Sequence, residues 1–245
     1  MDTRLWRGYL LLGILSIGVY FALPTALARD TAYELIGASA FVAIILGIRR
    51  HHPRVSTPWL LMAAGQLMFV VGDILFDYLV DVRHVDLFPS TADVLYLAGY
   101  PLLAAGLLVI ARRRSPGNDQ ASLIDALIIA VAMVVVVWVF WIDRYADSAT
   151  LTLSELAFSV AYPMMDLILL AVLARMWVTP GGRSPAYRLL LASFSFVLLG
   201  DILYYGLQFS VTYLGRNPLD MMWLLSYVAL GAAAQIGRAS CRERV

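Results

Sequence analysis

Two aspartates, Asp73 and Asp201, stand in the same four-residue context, Gly-Asp-Ile-Leu, at Gly72–Leu75 and Gly200–Leu203, and both contexts lie inside long apolar runs. A carboxylate at the centre of a bilayer costs roughly 2.5–3.5 kcal/mol on insertion scales. A chain that carries that cost twice in one local pattern points to a duplicated unit and a polar site inside a membrane bundle. Such acids can accept hydrogen bonds, bind a proton or hold a cation. The stretch after each copy corresponds too: Asp93-Val-Leu-Tyr-Leu-Ala-Gly-Tyr100 parallels Asp220-Met-Met-Trp-Leu-Leu-Ser-Tyr227, and Glu155-Leu-Ala-Phe-Ser-Val-Ala-Tyr162 is a fainter third copy. In each, an acid precedes a tyrosine by seven residues, which puts both on one helix face. Proline follows the tyrosine at Tyr100-Pro101 and Tyr162-Pro163, where a helix can kink and free a carbonyl.

These residues must be positioned by helices. The chain of 245 residues is 61% hydrophobic and 14% charged, with mean hydropathy +0.79, whereas soluble domains carry about 25% charged residues. Eight runs approach the ~20 apolar residues a spanning helix needs: 7–27, 32–48, 58–79, 92–111, 122–142, 155–176, 186–208 and 219–236. The fold expected is all-α, a polytopic membrane helix bundle of about eight transmembrane helices, with an initial two-helix unit and three related hairpins. Loops alternate in charge. With Arg4 and Arg7, the set Arg49, Arg50, Arg54, Arg112, Arg113, Arg114, Arg175, Arg183 and Arg188 gives eleven arginines on one side, against four on the other. The positive-inside rule then places both termini in the cytoplasm of a bacterial inner membrane. Arg49, Arg50, Arg54 and Arg112–Arg114 are the expected cytoplasmic anchors, with His51-His52 beside the first group. Ala26-Leu-Ala28 mimics a signal cleavage site, but a retained first helix closes the charge pattern.

On this topology Asp93, Glu155 and Asp220 begin spans at the outer surface. Asp73 and Asp201 lie two turns inside it, and Asp166 lies deepest, one turn beyond Tyr162. The candidate polar-core or ligand-sensing set is therefore Asp73, Asp201, Asp93, Asp220, Asp166, Glu155, Tyr100, Tyr162 and Tyr227. Asp93 and Asp220 also suit helix N-caps. A ligand pocket open to the outside, lined by aromatics, is the expectation for Asp73 and Asp201, with a proton or cation pathway through Asp73, Asp166 and Asp201 as the alternative. Asp125 reads as a cap.

No catalytic constellation, phosphate-binding glycine loop or metal-ligand spacing is present, so no enzyme activity, cofactor or metal is expected of these residues. All 18 basic residues are arginine, which removes the lysine a retinal Schiff base requires. The histidines fall outside the apolar runs, which argues against haem ligation. Residues 1–236 read as one membrane domain. The basic stretch 237–245 holds three arginines and the lone Cys241, and reads as vector- or adapter-derived sequence joined to a truncated frame.

Pro89-Ser-Thr-Ala-Asp-Val-Leu-Tyr-Leu-Ala-Gly-Tyr-Pro-Leu-Leu-Ala-Ala-Gly-Leu-Leu108, Leu123-Ile-Asp-Ala-Leu-Ile and Ala161-Tyr-Pro-Met-Met-Asp-Leu occur in this order. Together they resemble the multi-spanning N-terminal region of bacterial, especially actinobacterial, cyclic di-GMP signalling proteins over about residues 5–234. In that family the membrane region precedes cytoplasmic GGDEF and often EAL domains, neither of which is in this sequence. The resemblance implies a sensory or anchoring module. A small ion-coupled permease and a purely structural anchor are the alternatives. The expected partners are the lipid bilayer, a small outer-side ligand and a second copy of the chain, with no nucleic acid.

Overall fold

The computed structural model describes residues 3–53, 55–85, 88–114, 152–178, 184–208 and 218–236, together with the single positions 124, 128, 131 and 135. Among the described residues the fold is all-helical: α1 (Thr3–Ala22), α2 (Ala26–His51), α3 (Thr57–Asp77), α4 (Thr91–Arg114), α5 (Leu153–Val178), α6 (Pro185–Gln208) and α7 (Asp220–Ile236). Six of these helices, α1 to α6, are long and apolar enough to cross a membrane, and α7 is a shorter apolar helix. The run expected at 122–142 lies outside the described residues except at Ile124, Ile128, Val131 and Val135. These four are helical and exposed, with the spacing of one helix face. The expected cap Asp125 and the stretch 237–245 also lie outside.

Local sequence sets the helix ends. Pro24 halts the first helix early, so it ends at Ala22 rather than at residue 27. Thr25 then caps α2, its hydroxyl accepting from the Ala28 amide at 3.3 Å. Consequently the second helix begins before the expected residue 32, and Arg29, Asp30 and Glu34 belong to its first turns. At the far end of α2, His52 adopts a left-handed conformation and its amide reaches the Ile48 carbonyl at 3.1 Å. Asn and Gly usually fill such a closing position. Pro58 starts α3, which runs on past Asp77 into a single π-turn, Tyr78–Val82. Side-chain caps open two helices. In one, the Ser90 amide and hydroxyl donate to Asp93 (2.6 and 2.8 Å) ahead of α4. In the other, the Thr152 amide and hydroxyl donate to Glu155 (2.6 and 2.7 Å) while its hydroxyl accepts from the Glu155 amide.

Packing joins α2, α3, α4, α5, α6 and α7 in a closed ring, since α7 returns to pack on α2; α1 lies outside the ring against α2 and α7. One core runs through all six ring helices, centred on Ile44, Met62, Leu107, Leu169, Leu190, Phe194 and Leu230. A smaller cluster, Ile17, Tyr20, Ile36, Leu224 and Val228, fixes α1. The outer faces keep Leu11, Leu12, Leu15, Leu46, Ile74 and Ile168 exposed. An all-round apolar helix with one packed face is what a lipid surround accommodates.

Candidate functional site

The polar residues gather where α1, α3 and α6 end and α2, α4, α5 and α7 begin. Asp73, near the end of α3, accepts from the Tyr96 hydroxyl of α4 at 2.8 Å. Asp201, near the end of α6, accepts from the Trp223 indole N–H of α7 at 2.9 Å. Tyr96 and Trp223 occupy corresponding places, each three residues into the helix after its acid Asp93 or Asp220. The glycine of each Gly-Asp-Ile-Leu makes this approach possible. A Cβ on Gly72 would sit 2.7 Å from the Tyr96 ring, and one on Gly200 would sit 2.9 Å from the Trp223 indole nitrogen.

The second pair of contacts crosses the bundle. Tyr100, on α4, does not bond the aspartate of its own hairpin. Its hydroxyl donates to Asp201 on α6 at 2.8 Å. Tyr227, on α7, donates to Asp73 on α3 at 3.3 Å. The hairpin α3/α4 and the hairpin α6/α7 thus each satisfy their aspartate with one aromatic of their own and one tyrosine of the other. No hydrogen bond joins the two aspartates themselves; each is served by a tyrosine of the opposite hairpin. The acid and tyrosine seven residues apart share a helix face yet take partners on different helices. Asp93 accepts from Tyr162 of α5 at 2.6 Å, whereas Tyr100 reaches Asp201.

The remaining acids divide. The Oδ1 of Asp166, on α5, is enclosed and has no hydrogen-bond partner. Asp220 is buried and accepts from the Tyr20 hydroxyl of α1 at 2.7 Å. Glu155 accepts from Thr152 within its own capping box. Rings pack the network. Phe69 lies edge-on to Tyr96 and Tyr100 (centroids 6.2 and 5.3 Å), Tyr33 to Tyr227 (5.9 Å), and Trp223 to Tyr204 (6.1 Å). Edge-to-face pairs of this kind contribute about 0.5–1.5 kcal/mol beyond burial.

Sequence reasoning did not single out Tyr20, whose partner is 200 positions away. Tyr96 and Trp223 were legible only as aligned aromatics near the acids. At the opposite end, Arg49, Arg50, Arg112 and Arg113 are exposed in the last turns of α2 and α4, Arg114 closes α4, and Arg54 lies outside the described residues. His51 bonds the Gln235 carbonyl at 2.8 Å, and the Gln235 side-chain amide donates to the Ala43 carbonyl at 2.7 Å, tying the end of α7 to α2. Among the described residues no group of three or more His, Cys, Asp or Glu side chains could hold a metal ion.

The network is built from carboxylate acceptors and from phenol, indole and hydroxyl donors. Comparison with protein-family models, with curated proteins and with solved structures gives no match for this chain.

Proposed function

We propose that the bundle is the membrane-embedded sensory module of a bacterial cyclic di-GMP signalling protein, with eight spans, both termini in the cytoplasm of the inner membrane, and GGDEF or EAL output following α7. The observation that carries this reading is the crossed exchange of tyrosines between the hairpins. Any stimulus that moves the α3/α4 hairpin relative to the α6/α7 hairpin strains the Tyr100–Asp201 and Tyr227–Asp73 bonds together, and so acts on α7. Bistable packing of this kind is how small local shifts become rigid-body motion. The matched contacts at Gly72–Asp73 and Gly200–Asp201 also favour the two hairpins as copies of one ancestral unit, an arrangement common in membrane proteins. Both oxygens of each aspartate take a donor from the chain, so the stimulus works by repacking these donors rather than by entering an open acid-lined pocket.

The test uses the parent protein in cells. Asp73→Asn with Asp201→Asn keeps side-chain volume and removes the acceptor charge on both. Cyclic di-GMP that no longer responds to growth conditions is expected. An unchanged response, or one preserved when the whole region is exchanged for an unrelated membrane anchor, sinks the sensory role. The ion-coupled permease is favoured by one observation, the enclosed Asp166 carboxyl oxygen that has no hydrogen-bond partner inside the bundle. Proton-driven solute uptake by liposomes containing this chain alone would support it.

A further inference from the structure

The second half of α7 has no polar grip on its neighbours until its last turn. The helix bonds α1, α6 and α3 through Asp220, Trp223 and Tyr227, all in its first half. Residues 228–234, Val-Ala-Leu-Gly-Ala-Ala-Ala, then offer no side chain that can hydrogen-bond, and all of them are buried. In lipid the surrounding tails are as apolar as the neighbouring helices, so burial alone does not fix such a helix along its axis. Gln235 is the next polar residue.

Two hydrogen bonds meet at Gln235, both with α2. The His51 Nε2 lies 2.8 Å from the main-chain carbonyl of Gln235, and the Gln235 side-chain amide donates to the main-chain carbonyl of Ala43 at 2.7 Å. A carbonyl only accepts, so the His51 Nε2 carries the proton of the first bond. The bonds are reciprocal: each helix gives one side chain and one main-chain oxygen. Ala43, Gly47 and His51 follow one another at four-residue intervals along one face of α2. Between the two ends of this face the Ala234 carbonyl comes against Gly47, where a Cβ would lie 2.5 Å from that oxygen. The two helices run parallel, since Gly37 meets Tyr227 and Gly47 meets Ala234. Shifting α7 by one residue along its helix, about 1.5 Å of rise and 100° of rotation, would take both donors off their acceptors.

We propose that His51 and Gln235 form a clamp that sets the register of α7 against α2, so that at this end the two helices move as one body. Both acceptors are main-chain oxygens, so the clamp responds to where each helix lies rather than to which side chain it carries. Closed, it fixes the height and rotation at which the chain continues beyond Ile236. Opened, it leaves only the smooth apolar stretch 228–234, along which α7 can turn or slide. The clamp is separate from the aspartate network and stands whether the bundle senses, transports or anchors.

Hydrogen–deuterium exchange of the full chain in lipid nanodiscs, read by mass spectrometry, tests it. His51→Phe and Gln235→Leu each remove one donor and keep an apolar side chain in its place. Each should speed exchange in the last turn of α7, residues 232–236, by roughly threefold, and the two together by roughly eightfold, the factors that one and two average interhelical bonds in lipid imply. Exchange over residues 220–227 should not change. No rise at 232–236, or an equal rise across 220–227, overturns the clamp. Should the variants fail to fold, ¹⁵N NMR of the wild-type histidines decides: His51 protonated at Nε2 with a through-space contact to Gln235 supports the clamp, and an Nε2 without its proton refutes it.

Discussion

The crossed tyrosines differ in a way that stability measurements can read. Tyr100 and Tyr227 occupy corresponding positions, yet Tyr100 donates to its aspartate at 2.8 Å and Tyr227 at 3.3 Å. Phenylalanine at either site removes only the hydroxyl. The Tyr100 ring keeps its edge contact with Phe69 at 5.3 Å, and the Tyr227 ring its contact with Tyr33 at 5.9 Å. A hydrogen bond to a charged acceptor contributes about 1.5–3 kcal/mol in soluble proteins. Interhelical bonds in membrane proteins average about 0.6 kcal/mol and reach about 1.7, because the unfolded chain in lipid also finds partners. Short geometry and a buried acceptor place Tyr100→Phe near the upper membrane figure, about 1.5 kcal/mol. The longer bond to the half-buried Asp73 places Tyr227→Phe near the mean, about 0.5 kcal/mol.

Reversible unfolding of the purified chain in mixed micelles, from detergent into denaturing surfactant, measures both. The double-mutant cycle of Tyr100→Phe with Asp201→Asn isolates the bond from ring packing. A coupling of about 1 kcal/mol or more is expected there, and the cycle of Tyr100→Phe with Asp73→Asn should be close to additive. Equal costs for the two tyrosines, or coupling of Tyr100 to Asp73 rather than to Asp201, would refute the crossed connectivity.

Two further perturbations probe the same frame. Gly72→Ala and Gly200→Ala each drive a Cβ into an aromatic donor, at 2.7 Å from Tyr96 and 2.9 Å from Trp223; each should destabilise by about 1–3 kcal/mol as an overpacked site, and only Gly200→Ala should shift the fluorescence component that Trp223→Phe removes. Tyr20→Phe takes the hydroxyl from buried Asp220 while leaving the apolar contacts of α1 in place, so limited proteolysis should release α1 faster than in wild type, whereas Ser16→Ala, which loses only a hydroxyl bonded within α1 to the Leu12 carbonyl, should not change the rate.

The range of each interaction decided whether the sequence disclosed it. Apolar runs mark the spans because backbone groups in lipid must be satisfied within a helix, and the acids Asp93 and Asp220 fall in the first turns of their helices for equally local reasons. The Gly-Asp-Ile-Leu copies marked the two acids, and aligning the helix after each copy brought out Tyr96 and Trp223. Ring closure was not legible. That Tyr100 serves Asp201, 101 positions away, and that Tyr20 serves Asp220, depends on which helices become neighbours. The start of α2 was misplaced for a different reason: the charged Arg29 and Asp30 precede the apolar run that begins at residue 32, but the Thr25 cap starts the helix ahead of them, where half-buried side chains can still reach the surface.

The two hairpins match in pattern but not in burial. Asp73 and Asp201 each take one aromatic donor from their own hairpin and one tyrosine from the other. Asp201 is buried, whereas Asp73 is half-buried. Asparagine replaces one acceptor oxygen with a donor nitrogen, so at either site one aromatic donor loses its acceptor. At Asp201 that donor is enclosed and bears the cost of a buried unsatisfied group, about 1–3 kcal/mol. At Asp73 partial exposure lets another partner take its place. Asp201→Asn should therefore destabilise the bundle more than Asp73→Asn in the same mixed-micelle unfolding measurement, and equal costs would refute the argument.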